Sequence, residues 1–197
     1  MGSLMYLRAS NGVYFEVGGT TVNIGVIKNG RPAIDYSIVG GHRTYISSLD
    51  VRVLGVAGGS MIRVNKNGVH DVGPRSAHIA GLDYAVFTDE SEIVDPQLEF
   101  FSPKDGDPSD YVAIKLKSGK RITITNSCAA NVLGLVKPTD FSYGNVNSAR
   151  KAMQPIADYL GITVEQVAEQ ILTRAYEKIS PIIMELAEKY KLEHDQI

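Results

Sequence analysis

The chain has 197 residues, 44% of them hydrophobic, and a formal charge of −2. That is enough apolar material for one packed domain, or one domain with an appendage, and the lack of basic excess argues against a phosphodiester partner. No apolar run reaches membrane-spanning length and no signal-peptide order opens the chain, so a soluble, cytoplasmic protein with neither nucleic-acid nor membrane partners is expected.

Met1-Gly2-Ser3-Leu4 reads as a vector-derived start, and the chain is expected to be an excised piece. From Val13 to Val39, β-branched and aromatic residues are interrupted at Gly18-Gly19 and at Asn29-Gly30, a pattern that predicts three successive strands. The first interruption, Gly18-Gly19-Thr20-Thr21, reads two ways. It is either an ordinary hairpin turn or a phosphate-sized cradle, because paired glycines admit a ligand close to the backbone and threonines add hydroxyls beside exposed N–H groups. Val39 to Thr44 reads as a polar loop, in which His42 and Arg43 beside paired glycines offer an anion site or simple solvation.

Residues 51–64 form a buried strand, a second glycine-rich turn at Gly58-Gly59-Ser60, and a further strand. Two such turns in one fold can converge on one ligand, whereas the bland reading of the second is close packing against a neighbour. Asn67-Gly68 turns the chain into Val69 to Val72, and Gly73-Pro74-Arg75 is expected to end that hairpin. Ser76 caps a short helix or helical turn that stops near Gly81, with His78 on it read as a structural histidine. Residues 88–110 are acidic and turn-rich but lack the spacing of a calcium loop, which predicts a solvated connection. Tyr111–Leu116 and Arg121–Thr125 alternate around Ser118-Gly119, predicting a hairpin with one wet face.

The last third reads as helix. Asn126-Ser127 precedes a short capped helix through Gly134 containing Cys128, the single cysteine, which excludes an internal disulfide and reads as a small buried hydrophobe. Ala149 to Leu160 has helical spacing, with Pro155 as a kink and Gly161 as a stop. Thr163 and Gln166 have capping-box spacing, and the apolar stripe from Val164 runs past Pro181 to Tyr190 as one kinked helix or two abutting ones.

Three stretches together resemble the hydantoinase A and oxoprolinase family: Glu16 to Ile27 with its Gly-Gly-Thr-Thr core, Gly55-Val56-Ala57-Gly58-Gly59-Ser60, and Val72-Gly73-Pro74-Arg75-Ser76-Ala77. Asn126 to Asn131 and the helical tail are similar to a bacterial branch of it. The resemblance covers most of the chain. It implies an α/β (α+β) fold of the actin-like, ribonuclease H-like ATPase kind, with N-terminal antiparallel strands, a mixed sheet and C-terminal helices. Residues 1–197 are then one domain, the second lobe of a larger protein, strand-rich over 11–125 and helical over 126–192.

The same resemblance implies ATP and Mg2+ as cofactors of the full-length protein, with Gly18, Gly19, Thr20, Thr21, Asn23, Gly58, Gly59 and Ser60 around the nucleotide. The activity implied is ATP-dependent hydrolysis of a cyclic amide such as a hydantoin or 5-oxoproline. The family often has aspartate where this chain has Asn23, and an amide lacks the charge that holds magnesium, which leaves Glu16 as the nearby carboxylate for the metal. The first-lobe phosphate motif is missing and a glycine-rich adenosine turn is expected beyond Ile197. The expected partner is therefore the remaining lobe of the same chain or a companion subunit. No catalytic residue is singled out. A non-catalytic assembly or ligand-sensing domain is the competing reading.

Overall fold

In a computed structural model, residues 10–196 are described, and they form two compact units. The Met1-Gly2-Ser3-Leu4 start lies outside them. One unit comprises residues 10–17, 22–54 and 178–196, and the other residues 18–21 and 55–177.

The first unit is built on β2 (Val22–Lys28), which pairs antiparallel with β1 (Gly12–Val17), with β3 (Arg31–Pro32) and with β6 (Val51–Leu54). Alternation sends Val22, Ile24 and Val26 to one face, where Ile179, Ile182, Ile183 and Leu186 of the last helix cover them. The Asn29-Gly30 turn has positive φ at both residues, 53° and 70°, as a two-residue hairpin loop demands. The expected third strand is broken. β3 covers only Arg31–Pro32, Ala33 N still donates to Val26 O at 2.8 Å, and the chain then restarts as β4 (Ile34–Val39).

β4 pairs only with β5 (His42–Leu49), in a separate two-stranded sheet. The loop expected around Gly40-Gly41 is thus a tight turn, with φ of 57° and 83°, and His42 and Arg43 lie in a strand. Arg43 pairs with Asp35 at 3.3 Å and stacks over Tyr36. Buried Asp50 accepts hydrogen bonds from Lys189 and Tyr190, both at 2.6 Å, and from Arg52, which also reaches Glu185. Burial opposes ionisation of Asp50, but these donors and the Arg52 charge outweigh it and hold its carboxyl below the usual range.

The second unit holds a mixed sheet of β7 (Ser60–Asn65), β8 (Gly68–Ser76), β9 (Asp83–Tyr84), β10 (Gln97–Phe101), β11 (Tyr111–Lys115) and β12 (Arg121–Thr123). All its pairings are antiparallel except β9 with β12. Three helices follow: α1 (Asn126–Val132), α2 (Val146–Leu160) and α3 (Val164–Tyr190), whose residues from Lys178 belong to the first unit. Ala152, Met153 and Ile156 of α2 with Val167 and Ile171 of α3 pack among Ile62, Val112, Ile114 and Ile122 of the sheet. The capping box forms in both directions: Gln166 N donates to Thr163 Oγ1 and Thr163 N donates to Gln166 Oε1. Pro155 and Pro181 both lie inside continuous helices, so the apolar stripe is one helix.

β8 continues through Gly73-Pro74-Arg75, because a register shift between Ser60/Ser76 and Ile62/Val72 takes up the extra residues as a bulge. The acidic stretch includes β10 and is no mere solvated connection. Asp107 holds Arg75 through two 2.8 Å bonds, and Asp110 holds Arg63 and His70. The 111–125 hairpin has no wet face on β11, where Tyr111 to Ile114 are all buried, because β11 is flanked by strands on both edges and covered on both faces. α1 begins at Asn126, after Thr125, whose side chain makes no capping bond.

Candidate functional site

The Gly18–Thr21 turn is closed by a 3.0 Å bond from Gly18 N to Thr21 O. It docks on the second glycine turn: Gly58 N donates to Gly18 O at 3.2 Å and Gly59 N to Gly19 O at 2.8 Å. The carbonyls of Gly58 and Gly59 accept in turn from Ser127 N and Ala77 N, both at 2.9 Å. Buried Ser60 folds back, its Oγ accepting from Ala57 N at 2.8 Å. The two glycine turns therefore converge, and the amides of the second are spent on holding the first.

What the lock leaves free is chemically specific. The N–H groups of Gly19, Thr20 and Thr21 donate to nothing among the described residues, while the Thr20 hydroxyl donates to Ser76 Oγ at 3.2 Å. Unused, adjacent backbone donors at a fixed turn are an anion-binding device. They adjoin a cleft of about 570 Å³ lined by Gly19, Thr20, His78, Leu82, Asp83, Tyr84 and Phe87.

His78 is exposed on the helical turn after Ser76, whose Oγ accepts from Ile79 N at 3.4 Å. Asp83 pairs with Lys120 at 3.1 Å, and Tyr84 stacks on half-exposed Phe87 at 5.6 Å. Burial pushes the Tyr84 phenol above its usual value and keeps it protonated. Tyr84, Asp83 and Phe87 give no signal in the sequence, because a two-residue strand is too short to show periodicity. Cys128 is fully buried, with its thiol pushed up by desolvation, as befits a core residue.

Glu16 and Asn23 face each other across β1 and β2, and Asn23 Nδ2 donates to Glu16 Oε2 at 2.9 Å. One carboxylate oxygen of Glu16 is left for a cation. No group of three or more His, Cys, Asp or Glu among the described residues is arranged to hold a metal by itself. A single carboxylate suits magnesium, which keeps most of its waters and takes substrate phosphates as ligands, better than any dedicated protein cage. His42 lies on β5 of the first unit, and does not line the cleft.

Among known proteins, the family model for hydantoinase/oxoprolinase matches residues 1–197. A search of curated proteins finds no match. Solved structures share the fold, among them two enzymes. One is the nucleotide-free acetone carboxylase from work on ATP-dependent acetone carboxylation, with a TM-score of 0.56 and 21% identity over 94% of this chain and 22% of that one. The other is the ATP-dependent caprolactamase from Pseudomonas jessenii, with a TM-score of 0.59 and 24% identity over 94% of this chain and 23% of that one. The chain thus spans under a quarter of the length of either protein. The likeness bears out the expected mixed α/β fold. No helix among the described residues is long and apolar enough to cross a membrane.

Proposed function

The chain belongs to the hydantoinase/oxoprolinase family, and from that premise we propose that it is the second lobe of an ATP-dependent enzyme that opens a cyclic amide of the hydantoin or 5-oxoproline type. The observation that carries the reading is the row of unspent N–H groups at Gly19, Thr20 and Thr21, on a turn fixed by Gly58 and Gly59 beside an open cleft. Donors fixed in advance stabilise a transferring phosphoryl group without reorganising when charge develops. Phosphorylation of the amide oxygen would turn a poor electrophile into one that water attacks. The acetone carboxylase and the caprolactamase that share the fold are both described as ATP-dependent, which supports the nucleotide.

In this reading Gly18, Gly19, Thr20 and Thr21 bind phosphate, Gly58, Gly59 and Ser60 hold that turn in shape, and Glu16 is the carboxylate that would hold a hydrated Mg2+. The remaining lobe, in the same chain or a companion subunit, supplies the rest of the clamp, and this lobe alone is inactive. The test is turnover of 5-oxoproline and hydantoin by the complete natural protein with Mg-ATP. ADP release that depends on the cyclic amide is expected; no amide-dependent ADP release would contradict the assignment.

The Asn23 to Glu16 hydrogen bond favours one second reading, an assembly or ligand-sensing domain without turnover, because an uncharged amide stands at position 23 and takes up one of the two Glu16 oxygens. Asn23→Asp separates the two. An enzyme gains or keeps turnover with the restored charge, whereas a sensing domain stays inert while still binding its partner.

A further inference from the structure

Tyr84 is the side chain on which both glycine turns converge. Its backbone is fixed by parallel pairing with Thr123, and its ring packs beside Met61, Ala77 and Leu82 and stacks on Phe87. A Cβ added at Gly59 would lie 1.8 Å from Tyr84 Oη, and one added at Gly19 would lie 3.4 Å from it. The hydroxyl therefore occupies the space that the absent side chain of Gly59 leaves open. That accounts for glycine at 59 independently of any ligand.

A half-buried phenol normally finds a hydrogen-bond partner. Tyr84 Oη has none among the described residues, although it lines the same cleft as the unspent N–H groups of Gly19 and Thr20. Donors from two elements thus meet at one lip. The carboxylate nearby, Asp83, pairs with Lys120 at 3.1 Å. Three convergent donors are matched by an oxyanion with several lone pairs, and a phosphoryl group supplies one.

We propose that Tyr84 Oη donates a hydrogen bond to the phosphoryl group held by the Gly19 and Thr20 amides, making Tyr84 a nucleotide-binding residue of this lobe. The inference rests on the phosphate reading of the Gly18–Thr21 turn. Tyr84→Phe removes only the hydroxyl and keeps the ring packing and the stack on Phe87.

The test is calorimetric titration of Mg-ATP, and separately of adenosine, into the complete natural protein, its Tyr84→Phe variant and a Gly19→Val variant. Tyr84→Phe should weaken Mg-ATP about tenfold, the scale of one hydrogen bond to a charged group, and leave adenosine binding and Tm unchanged. If Gly19→Val weakens Mg-ATP and Tyr84→Phe does not, the role of Tyr84 is overturned and the cradle stands. If neither variant weakens it, both fall. Equal loss of ATP and adenosine, or a lowered Tm in Tyr84→Phe, makes the tyrosine a packing residue and also overturns the proposal.

Discussion

Gly40-Gly41 and Gly58-Gly59 are the same dipeptide used for opposite reasons. The first pair turns the β4–β5 hairpin at φ of 57° and 83°, with nothing within 4 Å of where its side chains would stand. Left-handed backbone demands glycine there, and space does not. The second pair has no positive φ, yet a Cβ at Gly59 would meet Tyr84 Oη at 1.8 Å and Gly19 O at 2.5 Å. There, close approach demands glycine. A turn shaped by φ can be exposed and local, whereas one shaped by crowding joins distant segments, and the candidate site is built on the second kind.

Substitutions separate the two. Gly59→Ala should be the most damaging, costing about 3 kcal/mol by urea unfolding, because the Gly19 carbonyl is backbone and cannot rotate away. Gly58→Ala meets Ser127 Oγ at 2.9 Å, a hydroxyl that can turn aside, so about 1.5 kcal/mol is expected in the same assay. Gly40→Ala should cost about 1 kcal/mol, the strain of a left-handed alanine, and should leave nucleotide affinity unchanged. A Gly40 effect larger than the Gly59 effect would reverse the comparison.

Acid gives the gentlest probe. The hydrogen bond from Lys189 comes first among the causes that hold the Asp35 carboxyl low, and Asp50 is held low against its own burial by Lys189, Tyr190 and Arg52. Folded values below the ordinary 3.8 mean that this stabilisation is present above pH 3.8 and lost as pH falls through the folded values. Hydrogen exchange below pH 3.8 should therefore speed up in β4 and β5, while the amides of Gly58 and Gly59, held by uncharged carbonyls, keep their protection.

The sequence was legible where one local rule decided the outcome. The Asn29-Gly30 turn, the Thr163 and Gln166 box and the α3 stripe each need only short-range geometry. It was illegible where a distant partner decided. Gln97–Phe101 is a strand because β11 is there to pair with it, and Asp107 and Asp110 are clamps because arginines of β7 and β8 face them. In the candidate site, both glycine turns could be read from Gly-Gly alone. Their mutual hydrogen bonds and Tyr84 could not, since a two-residue strand carries no pattern and an exclusion volume leaves no mark on its own residue.

The proposed binding of nucleotide phosphate by the Gly18–Thr21 turn meets its sharpest test in Gly19→Val. The added side chain starts 3.4 Å from Tyr84 Oη, at the lip of the cleft, and φ at this position is not left-handed, so the fold is expected to survive. Calorimetric titration of Mg-ATP into the complete natural protein should show binding that this variant weakens at least about tenfold, with Tm unchanged. Equal Mg-ATP affinity in parent and variant would rule out phosphate binding at this turn.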